Sequence, residues 1–247
     1  MILHIPHSSR AIPESMKDQF VLPDGELSAE LTLMTDAFTD ELFAVAGATI
    51  LRFPISRLVV DVERFPDDAD EPMSRVGMGM VYTRTASGLN LRRTLEAHER
   101  ASLLSIYETH HQALSREVSS ELARQENALV VDCHSFPSQP LPCDRDQSFP
   151  RPDFCIGTDS FHTPEALAES TAVNLEKMGF SVRLNRPYEG ALVPMEFWRK
   201  DRRVASIMVE INRRLYMDET TGMKTGEFDP FKEQTESILS LIREFQQ

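Results

Sequence analysis

Two histidines stand where this chain could do chemistry. His7 follows the β-prone run 1–5 and Pro6, and His134 lies within ALVVDCHSFP at 128–137. The valine-rich run 129–133 reads as a strand buried on both faces, ending in Asp132, Cys133, His134 and Ser135. Polar groups at the carboxyl end of such a strand sit where open α/β sheets build their sites. Side chains alternate along a strand, so Asp132 and His134 share a face and Cys133 points away. A carboxylate beside an imidazole orients the ring and fixes its tautomer, the usual support of a histidine ligand.

Three further carboxylates occupy comparable places. Glu210 lies near the end of the apolar run ASIMVEI at 205–211, where a charge must be paired, protonated or on a metal. Asp61 ends the apolar run 58–62, and Asp36 falls in the first turn of a helical pattern that starts at 33–36. Two histidines and one carboxylate form a catalytic zinc set with an open fourth position. A metal there brings the pKa of water to about 7. A carboxylate outside the ligand set can take that water's proton, and an arginine can steady the oxyanion. Arg64 and Arg84 lie in flanking loops, where a guanidinium suits a substrate carboxylate, and Asn185 and Tyr188 offer further hydrogen bonds.

The elements that must position these residues alternate between strand and helix patterns. Strands are expected at 1–5, 48–53, 58–62, 154–157, 180–184 and 205–211, besides the central one. The longest helical pattern is 94–124, and others follow Thr163 and Asp229. His98, His110 and His111 belong to the long helix. Adjacent helical residues point about 100° apart, so the pair is read as structural, as is His4 inside the first strand. The glycines at 77 and 79 lack the third glycine and lysine of a phosphate loop. The proline- and aspartate-rich stretch 138–152 is a loop near the site.

The 247 residues, 41% of them hydrophobic, are enough for one large domain spanning 1–247. A net charge of −13 argues against nucleic-acid and membrane-surface partners and leaves a small anionic substrate dependent on local arginines. Three scattered cysteines, with neither a signal peptide nor a membrane-length apolar stretch, point to the cytoplasm.

Six segments together resemble the N-formylglutamate amidohydrolase family: HIPHSS at 4–9, TDAFTDEL at 35–42, SRLVVDVERFPDD at 56–68, DCHSFP at 132–137, NRPYEG at 185–190 and VEINRRLY at 209–216. They run in family order across most of the chain. The resemblance implies a three-layer α/β sandwich with a mixed, largely parallel central sheet, similar to zinc exopeptidases. It also implies metal-dependent hydrolysis of an N-formyl or other N-acyl amino acid. The type reaction, N-formyl-L-glutamate to formate and L-glutamate, belongs to histidine degradation. Carried over by residue, it makes His7 and His134 ligands of Zn2+ and Glu210 the general base. Related amidases place the carboxylate ligand at the start of the first helix, which picks Asp36, with Asp61 the rival. One departure is Glu63, where the family often has asparagine beside the arginine matched by Arg64.

The competing readings are a peptidoglycan-type amidase, a cysteine hydrolase using Cys133 with His134, and a binding protein that keeps the fold without activity. The missing wall-binding module counts against the first, and strand alternation counts against the second.

Overall fold

The structure is a computed structural model that describes residues 1–245. Six strands form its central sheet: β1 (Ile2–Ile5), β2 (Thr49–Arg52), β3 (Ala128–Phe136), β4 (Phe154–Gly157), β5 (Val182–Leu184) and β6 (Val204–Asn212). Their order across the sheet is β2-β1-β3-β6-β4-β5. All neighbours run parallel except β4, which is antiparallel to β6. The expected mixed, largely parallel sheet is therefore present.

Alternation along the strands splits the apolar residues between two layers. Leu3, Ile5, Val131, Cys133, Val209 and Ile211 pack on one face. Helices α2 (Thr39–Leu42), α4 (Glu165–Lys177) and α5 (Phe228–Glu244) cover that face through Leu42, Leu167, Leu175, Ile238 and Ile242. Ile2, Val130 and Val204 face the other way, against Leu114 and Val118 of α3 (Ala97–Arg124). Reciprocal bonds between Glu96 and Glu99 open this long helix with a capping box. The result is three layers, as expected. The residues left on the α3 side at the strand ends are polar, and they make the site.

Two expectations fail here, and both concern how the aspartates are delivered. The run 58–62 is a loop, not a strand. Val59 and Val60 donate to Ser56 O, and the buried Arg92 guanidinium binds the carbonyls of Leu58 and Val59. These residues are apolar because they belong to a second core, with Phe53, Met78, Met80 and Tyr82, that packs outside the sheet. Asp61 is thus held by loop contacts, including its N–H to Met80 O. Nor does Asp36 open a helix. Helix α1 (Asp24–Met34) precedes it, in a stretch read from the sequence as loop and helix start. Asp36 lies in the link between α1 and α2. Its N–H donates to His7 O at 3.0 Å, and its carbonyl accepts from Thr39 Oγ1 at 2.8 Å.

Candidate active site

His7, Asp36 and His134 come from three separate elements and converge below the protein surface, none more than 5% exposed. Asp36 Oδ2 lies 3.0 Å from His134 Nδ1 and 3.7 Å from His7 Nδ1. The opposite nitrogen of each ring faces another carboxylate. His7 Nε2 bonds Asp61 Oδ1 at 2.8 Å, and His134 Nε2 lies 3.1 Å from Asp132 Oδ1, out of line for a hydrogen bond. Asp132 and His134 do share a face of β3, while Cys133 lies in the apolar core and donates to Val131 O. Burial pushes the Cys133 thiol well above its usual range, so it has neither the neighbour nor the thiolate a cysteine hydrolase needs.

Glu210 stands beside His134 because β3 and β6 pair in parallel with those two residues in register. It is 7% exposed, and its Oε2 is buried without a hydrogen-bond partner. The salt bridge to Arg213 or Arg214 that its sequence neighbours suggest does not form. Arg213 binds Asp36 Oδ1 at 2.9 Å and Arg214 binds Asp153. Burial raises the Glu210 carboxyl to about 8, with the Asp36 charge adding and His134, Arg213 and Arg57 opposing.

The other site carboxylates are pulled the opposite way. Burial would raise Asp36, but the His134 and His7 rings and the Arg213 charge hold it well below the usual range. Burial would likewise raise Asp61, and Arg57 and His7 bring it well down. The His134 imidazole loses solvation, yet Asp132, Asp36 and Glu210 together raise it well above its ordinary value. Negative charge thus collects around one imidazole, an environment that suits a cation.

These groups open into a cleft of about 890 Å³. Arg64, Asn185 and Tyr188 line it. The Asn185 side chain is already bonded to Thr158, and Tyr188 OH accepts from Arg151 and donates to Asp144. Arg84 does not line the cleft. It is exposed and binds Gly88 O, because the bridge between Arg84 and Asn90 turns it away. Arg57 went unnoticed in the sequence. Its Nη2 binds Asp61 Oδ2 at 2.8 Å, and Tyr82 OH donates to the same oxygen at 2.6 Å. The i, i+4 spacing of Arg57 and Asp61 was the available signal, obscured by the reading of 58–62 as a strand.

A deeper polar layer supports the site. His4 Nδ1 bonds Asp132 Oδ1 at 2.9 Å and lies 3.2 Å from Glu63, while its Nε2 meets His110 Nε2 at 2.8 Å. His111 Nε2 is bonded to Val62 O. His4, Glu63 and Asp132 also bring their ligand atoms within 4.8 Å of one another.

The model of the N-formylglutamate amidohydrolase family matches residues 1–217. A crystal structure of N-formylglutamate amidohydrolase from Ralstonia eutropha JMP134 superposes with a TM-score of 0.87 at 24% identity, covering 99% of this chain and 93% of that one. The crystal structure of gene product Atu2144 from Agrobacterium tumefaciens gives a TM-score of 0.67 at 20% identity, covering 100% and 91%. Among curated proteins none matches. With the family model matching residues 1–217 of the 247, the chain belongs to the N-formylglutamate amidohydrolase family.

Proposed function

We propose that this protein hydrolyses the amide bond of an N-formyl amino acid, with N-formyl-L-glutamate as the type substrate, and that it uses one divalent metal, zinc, to do so. The observation that carries the reading is the buried His7–Asp36–His134 group beside an unpaired Glu210 oxygen. The donor set fits the metal. His7 Nδ1 is buried without a partner, its Nε2 is fixed by Asp61, and Asp36 Oδ2 lies between the two rings. When bound there, zinc would supply Lewis acidity toward the formyl carbonyl and the attacking water.

The chain's own residues do the rest. Glu210, its raised carboxyl drawn down into the ionised form by a cation held beside it, takes the proton of the attacking water and returns it to the leaving amine. Asp61 and Asp132 hold the two imidazoles in orientation. Arg57 and Arg213 are hydrogen-bonded to Asp61 and Asp36, which leaves Arg64, whose buried Nε makes no hydrogen bond and lies 3.8 Å from Asp61 Oδ2, to receive the substrate's α-carboxylate. The exposed Arg145 lines the same cleft and can meet a side-chain carboxylate.

A panel of N-formyl and N-acetyl amino acids, each with and without chelator, tests the proposal. Chelator-sensitive formate release is expected. A protein that cleaves none of the panel when loaded with zinc is not this enzyme.

A further inference from the structure

A second groove, of about 1020 Å³, continues the cleft and shares Glu63, Arg64, Phe65, Ala191 and Leu192 with it. The cleft alone has the size of a pocket for a drug-sized ligand, so a single amino acid does not require the extension. The groove runs between α3 and the segment around Trp198. Trp198 is half-buried in it, and Met195 and Phe65 are 58% and 45% exposed. Its rim is acidic. Asp70, Glu108 and Glu196 are exposed there, without an ion pair among the described residues, and Glu63 stands at the junction. Arg64 and Arg116 oppose them among the lining residues, and behind the groove Arg199 lies over the Trp198 ring at 4.7 Å and Lys200 donates to Met195 O.

On the reading that the cleft cleaves N-formyl amides, we propose that the groove is a second subsite for extended substrates: N-formyl dipeptides whose second side chain is long, apolar in its stem and cationic at its tip. A lysine stem covers Trp198 and Met195 while its ammonium reaches Glu108 and Glu196. Continuity with the cleft fixes the direction: the first residue's carboxyl is now a peptide carbonyl, which accepts from Arg64 where a single amino acid's carboxylate would, and the chain leads on past Glu63 into the groove. Water adds to the formyl carbon, the formyl C–N bond breaks, and the amine takes the proton. Formate and the intact dipeptide leave.

The test compares kcat/KM for N-formylmethionyl-lysine and N-formylmethionyl-glutamate in the zinc-loaded native protein and in a Glu108→Lys, Glu196→Lys double variant. The lysine substrate should be favoured about tenfold in the native protein, and that ratio should fall to about one or below in the variant. Trp198 is the single tryptophan, so titration with the product methionyl-lysine should change its emission saturably, and the variant should lose this response. A native ratio near one, a ratio unchanged in the variant, or an unresponsive Trp198 overturns the proposal. If no formylated substrate is hydrolysed, the hydrolase reading fails, and the Trp198 titration still decides whether the groove binds the cationic dipeptide.

Discussion

His7 donates from Nε2 to Asp61 Oδ1 at 2.8 Å, and that bond decides which ring nitrogen is left for chemistry. The free nitrogen is Nδ1, buried and facing Asp36 Oδ2 at 3.7 Å. The two aspartates therefore stand differently: Asp61 bonds the far side of the His7 ring, and Asp36 Oδ2 lies beside the near nitrogens of both rings, the place of a ligand in the proposed metal site.

The first prediction follows from this division. Asp36→Ala should abolish stoichiometric zinc binding in a calorimetric titration. Asp61→Asn should weaken it by about 10–100-fold, the usual cost of losing a group that orients a ligand. The reverse ranking would assign the ligand role to Asp61.

Glu210→Gln keeps the size of the side chain and removes the base. The variant should bind zinc like the native protein while kcat falls by about 10²-fold or more. Neither arginine beyond β6 is paired with Glu210, so Tm should change little. Near-native turnover would remove Glu210 from the chemistry.

Substrate capture separates the two arginines chosen from sequence. Arg64→Ala should raise KM for N-formylglutamate by about 10-fold or more, and raise it less for the α-amide, because a charged hydrogen bond is worth about 1.5–3 kcal/mol. Arg84→Ala should leave both values unchanged. An Arg84 effect on KM as large as that of Arg64 would contradict the placement of Arg84 outside the cleft.

Much of this site was legible in the sequence because long strands announce themselves. Strands β3 and β6 are buried along nearly their whole length, so their apolar runs mark them, and alternation then fixes the faces of Asp132, His134 and Glu210. The loop aspartates were harder. Residues 58–62 are as apolar as a strand, but they fill a separate core and their carbonyls are held by Arg92, a contact 30 or more residues away. Helix α1 presents no one-sided apolar stripe, so nothing in DGELSAELTLM marked it. Arg57 was hidden by the same misreading that made Asp61 a strand end.

The deeper histidine pair predicts how stability varies with pH. Burial opposes charge on His4, but Asp132 and Glu63 outweigh it and raise the ring to about 9. Burial and the neighbouring His4 charge lower His110 to about 2. A raised histidine pKa gives stability present below the unfolded value near 6.5 and lost as pH climbs toward 9. A lowered one gives stability lost as pH falls below 6.5. Each slope can reach about 1.4 kcal/mol per pH unit, so the pair alone sets a maximum near pH 6.5. Urea unfolding from pH 5 to 9 should show His110→Gln losing part of the acid-side slope and keeping the alkaline one. An unchanged acid limb would contradict the neutral, buried His110.

The central claim is that His7, Asp36 and His134 hold a metal needed to cleave an N-formyl amino acid. The most direct measurement is formate release from N-formyl-L-glutamate by metal-depleted protein during stepwise addition of zinc. The account predicts no activity at the start and a linear rise that ends at one zinc per chain. Full formate release by the depleted protein, unaltered by zinc, would contradict it.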